Sequence, residues 1–197
     1  MVLDCPLAVV ASRADLRRGS AAADPSVRTM SDNATADRSA FDAVIAAADY
    51  PVFVVTTHAG GRNAGCLVGF TSQVSIDPPR FLVGISKTNF TYGVAARAEQ
   101  LAVHLLSREQ SSLAALFGAE TGDDINKFAH CKWRPGPADV PILDAAAGWF
   151  TGRILARHDL GDHVGMVVEP TAAAAPPTGK EALRYRAVAD LKPGHVA

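Results

Sequence analysis

The sequence predicts a mainly β protein with helices, an antiparallel barrel carrying helical decoration, and three observations predict it. Five or six runs have the length and composition of strands. The helical stretches between them are short, and strands and helices do not alternate as βαβ units would. No internal repeat is visible. Neither a GxGxxG after a strand nor a GxxxxGK[ST] occurs, so a Rossmann or P-loop nucleotide site is not indicated.

Order is expected to begin at Ser39, where Ser39 and Asp42 resemble a capping box and Phe41, Val44, Ile45 and Ala48 recur at helical spacing. Tyr50-Pro51 stops that helix. PVFVVTTH (51–58) reads as a buried strand and AGGR (59–62) as a tight turn. The β-prone run 65–77 is interrupted by Gly69, which marks a bend or a close backbone approach. RFLVGIS (80–86) is another buried strand. A helix from about Asn89 to Glu99 precedes the strand LAVHLL (101–106). Ser107 and Gln110 open a further helix closed by Gly118. Thr121 and Asp124 start a third helical turn bearing Lys127 and Phe128. Two long strands follow the Pro/Gly loop 133–141. In 148–158, Phe150, Ile154 and Ala156 face one way and Thr151, Arg153 and Arg157 the other. The second, 163–170, comes after a tight Leu-Gly-Asp turn, and a last strand is expected around Leu183 to Val188.

The 197 residues fit one domain, and 48% hydrophobic with 20% charged residues is an ordinary globular composition. With 19 basic and 20 acidic residues the net charge is −1 and no block of like charge appears, which argues against nucleic acid. Cys5, Cys66 and Cys131 are odd in number and scattered, neither a disulfide framework nor a zinc set, as a reducing, cytoplasmic setting predicts. No apolar run approaches the ~20 residues of a membrane helix, and Asp4 sits where a signal peptide wants positive charge. All 13 aromatic residues lie from Phe41 onward, so residues 1–38 read as a disordered tail, with Met30 a plausible natural start. The ordered domain is expected over 39–191, with a short tail at 192–197.

Three stretches carry a resemblance. NAGCLVGFTSQVSIDPP (63–79), SKTNFTYGVA (86–95) and HDLGDH (158–163) resemble, in order and spacing, motifs of the flavin reductase family of FMN-binding split barrels. Lys127-Phe128 also sits where those proteins carry a Lys/Arg-Phe pair. The resemblance spans about residues 41 to 190. It implies a homodimeric split β-barrel in which both subunits build each flavin site. It also implies reduction of FMN (with FAD or the deazaflavin F420 as alternatives) by NAD(P)H, and a possible monooxygenase as partner. One departure stands out: the family's hydroxyl-rich Thr-x-Ser-Ser-Phe run is here Cys66-Leu67-Val68-Gly69-Phe70, with one extra residue before Asp77.

A flavin needs a flat apolar slot, hydrogen bonds along its pyrimidine edge and partners for its ribityl hydroxyls and phosphate. The strand through Val68, Gly69, Phe70, Thr71, Ser72 and Gln73 suits the ring and ribityl chain, Thr71 and Ser72 supplying hydroxyls from a shifted position. Ser86, Lys87, Asn89 and Thr91, at a strand end entering a helix, suit the phosphate, although Thr88 or Asn89 would serve equally as a plain N-cap. The resemblance places His163 at the reactive face, where its imidazole orients the nicotinamide; the alternative is a turn histidine. His158 and Asp162 are expected to hold that turn. Phe128 suits either a cover over the flavin edge or core packing, and Lys127 either a phosphate contact or a solvated surface. His130-Cys131 lacks further ligands at metal spacing, so no metal is expected. Rival readings keep the fold with F420 or a pyridoxamine-phosphate oxidase chemistry, or make the protein a non-catalytic flavin- or haem-binding module.

Overall fold

The altered run Cys66–Phe70 lies where the chain folds back on itself, and the sheet is built around that corner. A computed structural model describes residues 38–194. The expected tail (apart from Arg38) and the start at Met30 lie outside the described residues. Helix α1 (Arg38–Ala48) begins one residue before Ser39, which puts Ser39 inside its first turn rather than at its cap. The strands are β1 (Phe53–Ala59), β2 (Arg62–Val68), β3 (Thr71–Ser75), β4 (Arg80–Ser86), β5 (Gln100–Leu105), β6 (Trp133–Pro135), β7 (Pro141–Leu143), β8 (Gly148–Asp159) and β9 (His163–Ala174). Two helices complete it, α2 (Phe90–Ala95) and α3 (Ser111–Ala119).

Seven strands form one antiparallel sheet in the order β2-β1-β5-β8-β9-β4-β3, and β6 with β7 makes a separate hairpin. Its two edge strands, β2 and β3, are consecutive in the chain and joined only by Gly69-Phe70, so the sheet must curl until its edges meet. The curl closes on an apolar filling: Val55, Cys66, Val68, Val83, Ile85, Leu101, Val103, Val164, Met166 and Val168 form one buried cluster, drawn from five strands. Phe150 and Ile154 pack against it, as the alternation in β8 predicts. A second cluster covers the outer face of β1 with Leu113, Ala114 and Phe117 of α3 and with Phe128, Leu143 and Leu183. That double coverage is why β1 and β5 show consecutive rather than alternating buried residues, the polar Thr56, Thr57 and His104 among them.

Three sequence expectations need correction. The segment 183–188 forms no strand: it makes single bridges, Pro51 to Arg184 and Ser107 to Ala182, and then a 3-10 turn, Tyr185–Ala187. It runs across the ends of β1 and β5, its Leu183 bonded to both Val52 and Leu106, so only isolated residues pair. Helix α2 ends at Ala95, short of the expected 99, and the Arg157 guanidinium takes the carbonyls of Ala95 and Ala98 at and just past its end. The helical turn expected from Thr121 is a 3-10 turn, Lys127–Ala129, capped instead by Asn126, whose Oδ1 accepts the Phe128 amide at 3.1 Å. The Ser107–Gln110 cap does form, with Gln110 Oε1 accepting the Ser107 amide at 2.7 Å.

Candidate functional site

A cleft of about 380 Å³ opens at the β2–β3 corner. Cys66, Leu67, Val68, Gly69 and Phe70 form one wall; Gly84, Ile85, Ser86, Asn89 and His163 form another; Tyr50, Tyr185, Val188 and Leu191 close it. The corner is held by backbone bonds, Thr71 N–H to Gly69 O at 3.0 Å and Gly84 N–H to Phe70 O at 2.7 Å. No Cβ is tolerated at either glycine without movement: at Gly69 it would lie 2.7 Å from Tyr50, and at Gly84 3.1 Å from Phe70. Phe70, 54% exposed, meets the His163 ring edge-on at a centroid distance of 4.8 Å.

His163 opens β9 directly opposite Ser86. The turn before it is tied down by Asp159, not by His158: Asp159 accepts the Gly161 amide at 3.0 Å and the Lys87 ammonium at 2.8 and 2.9 Å. Those bonds hold its carboxyl below the usual carboxylate range. Asp162 bonds the His163 Nδ1 at 2.8 Å and is likewise depressed by that contact. Gly161 sits at φ +103 with open space where a Cβ would stand. Gly161→Ala therefore adds backbone strain alone, about 1–3 kcal/mol. Urea denaturation should show that loss, whereas Gly93→Ala, within α2 and equally uncrowded, should show none.

Of the residues singled out in the sequence, Val68, Gly69, Phe70, Ser86, Asn89 and His163 come together in this cleft. Asn89 caps α2, its Oδ1 accepting the Thr91 amide at 2.8 Å, and the buried Ser86 hydroxyl meets that of Thr88 at 3.0 Å. Thr71, Ser72 and Gln73 do not line the cleft. They lie on edge strand β3, past the corner, where Ser72 and Gln73 bond neighbouring carbonyls. Lys87 is engaged by Asp159, and Thr91 is buried with its hydroxyl towards the Cys66 thiol. Phe128 lies apart, in edge-to-face contact with Phe117 and Trp133, both at 5.7 Å. It borders a larger, polar cleft of about 540 Å³ on the other half of β2, with Arg62, Asn63, Asp123 and Asp124. Lys127 also borders this larger cleft, and at 4% exposed it is not a solvated surface lysine.

Sequence reasoning missed Tyr50 and Tyr185. Their rings stack at 5.1 Å and 24°, and the Tyr185 amide bonds the Tyr50 carbonyl at 2.9 Å. Burial, then the neighbouring Tyr185, raises the Tyr50 hydroxyl above its ordinary pKa. The only signal was a lone aromatic beside Pro51. A flat slot walled by tyrosine and phenylalanine rings and glycine backbone, with Ser86, Asn89 and His163 at hand, fits the apolar ring and polar edge of a flavin.

Residues 46–190 match the flavin reductase like domain. The chain belongs to that family. It is 35% identical over 122 residues to the stachydrine N-demethylase reductase subunit Stc3 of Rhizobium meliloti, which covers 60% of this chain and 52% of that protein. It is 33% identical over 124 residues to the FMN reductase (NADH) RutF of Methylorubrum extorquens, covering 63% and 60% respectively. The chain thus spans between about half and three-fifths of these curated relatives. Among solved structures, an FMN-binding protein from Thermus thermophilus superposes with a TM-score of 0.61 at 27% identity, covering 64% of this chain and 71% of that one. No helix among the described residues is long and apolar enough to cross a membrane.

Proposed function

We propose that the protein is an NAD(P)H-dependent FMN reductase of the cytoplasm, a homodimeric split β-barrel whose reduced flavin serves a partner monooxygenase or another acceptor. The observation that carries this reading is the cleft at Gly69-Phe70, whose walls include the run Cys66–Phe70 together with Ser86, Asn89 and His163. The relatives named as an NADH-dependent FMN reductase and as a reductase subunit support it. Bound FMN would supply the redox chemistry by taking a hydride from the nicotinamide. The chain supplies position. Val68, Gly69 and Phe70 present backbone to the ring; Ser86 and Asn89 offer polar groups at the cleft's end; His163, braced by Asp162, orients the nicotinamide from beside Phe70. The exposed apolar residues Phe41 and Val44 on α1, and Val74 and Ile76 around β3, support a second copy covering these faces.

An anaerobic spectrum of the protein with FMN, before and after NADH and then NADPH, tests the reading. The flavin band is expected to bleach far faster than in a protein-free control. A band that shifts on binding but never bleaches would favour F420 or a binding role, consistent with the hydroxyl-poor run Cys66–Phe70. No shift at all would overturn the proposal.

A further inference from the structure

Lys127 is a buried cation with an unusual set of partners. Its Nζ donates to two backbone carbonyls, Gly65 O at 3.2 Å and Phe117 O at 3.1 Å, and stands 5.6 Å from the Phe117 ring centroid. Among the described residues no carboxylate forms an ion pair with it. Burial lowers its pKa from the ordinary lysine value, and the nearby Cys66 and Glu120 pull the other way. Burial pushes the Cys66 thiol up to about 11, against the opposing pull of Thr91 and Lys127, so at neutral pH no thiolate cancels the ammonium.

Both carbonyls belong to residues next to the cleft wall: Cys66 follows Gly65, Gly118 follows Phe117, and Cys66 and Gly118 both line the slot. The two elements touch there, since a Cβ at Gly65 would lie 2.8 Å from Phe117. Lys127 therefore clamps β2 to α3: it borders the larger polar cleft, and the two carbonyls it holds belong to residues adjoining the wall of the corner cleft.

We propose that Lys127 is a positioning residue whose ammonium, bonded to the Gly65 and Phe117 carbonyls, favours the reduced cofactor over the oxidised one. The role rests on the flavin reading of the cleft. Hydride transfer from nicotinamide C4 brings two electrons and one proton to the flavin. A bound flavin would gain one negative charge as the nicotinamide becomes cationic, and the Lys127 ammonium would attract that charge. In a poorly solvated wall that attraction is weakly screened.

The test compares full-length wild type, Lys127→Gln (neutral, still a hydrogen-bond donor) and Lys127→Arg (charge kept). Affinity for oxidised FMN and the midpoint potential of bound FMN are both measured. For Lys127→Gln, reduced FMN should bind about tenfold more weakly relative to oxidised FMN, which lowers the two-electron potential by about 30 mV. Lys127→Arg should keep the wild-type potential. If Lys127→Gln weakens both forms equally and the potential does not move, the lysine is a structural clamp only and the proposal falls. Should that variant not fold, wild type alone decides: bound FMN at or below the potential of free FMN overturns the role. A wild type that binds no FMN would overturn the reading of the cleft and this role together.

Discussion

Gly69→Ala should weaken FMN binding at least tenfold, a loss of about 1.4 kcal/mol or more in binding free energy. The added methyl group would stand 2.7 Å from Cε2 of Tyr50, closer than atoms pack. Neither side yields freely. The backbone at 69–71 is pinned by the Gly69–Thr71 and Phe70–Gly84 hydrogen bonds, and Tyr50 is stacked on Tyr185, itself bonded through its amide to the Tyr50 carbonyl. The methyl must therefore push the tyrosine ring into the slot or lift the corner away from the cofactor. Flavin fluorescence titration of Gly69→Ala, Tyr50→Ala and the double variant separates these. If the ring is the obstacle, Tyr50→Ala should recover most of the loss in the Gly69→Ala background, giving a large coupling energy between the pair. Wild-type affinity in Gly69→Ala would show that the corner does not face the cofactor.

What could be read in advance here was what depends on neighbours in the chain. Gly69 announced a break in a β-prone run, and the break is the corner. The HDLGDH stretch announced a tight turn, and it carries a glycine at positive φ. The buried strands β1, β4 and β5 were legible because each carries a run of consecutive buried residues rather than an alternating one. What could not be read depends on partners distant in sequence. Leu183 looks like a strand residue, but its bonds go to Val52 and Leu106 across two strand ends. Tyr50 and Tyr185 are 135 positions apart, and no periodicity links them. A lysine next to a phenylalanine is as compatible with solvent as with a buried clamp, and the two carbonyls that bury Lys127 lie on β2 and α3. Thr71 and Ser72 were misplaced for a geometric reason: past the corner the strand lies at the sheet edge, so their hydroxyls leave the cleft.

His104→Leu should cost about 2–5 kcal/mol of folding stability at neutral pH, the expense of leaving two buried backbone groups without partners. His104, fully buried on β5, connects the main sheet to the β6–β7 hairpin. Its Nε2 accepts the Leu143 amide at 3.1 Å, which requires that nitrogen to be unprotonated; Nδ1 then carries the hydrogen and donates to Val54 O at 3.0 Å. Only the neutral ring makes both bonds. Burial, ahead of the nearby Arg134 charge and against the Val54 bond, lowers its pKa to about 4, below the ordinary 6.5. Because the folded value is depressed, the unfolded chain binds the proton more tightly. The stability is complete above pH 6.5 and is lost as pH falls towards 4. Between pH 7.5 and 5 the loss amounts to about 2 kcal/mol. Denaturant unfolding at those two pH values should show it in the wild type, and His104→Leu should abolish that part of the pH dependence while starting from a lower stability. His104→Gln, which can donate to Val54 O and accept from Leu143, should be the milder variant and equally indifferent to pH over this window. A wild-type stability that stays level from pH 7.5 to 5, or a leucine variant as stable as wild type, would mean that the histidine does not anchor the hairpin in this way.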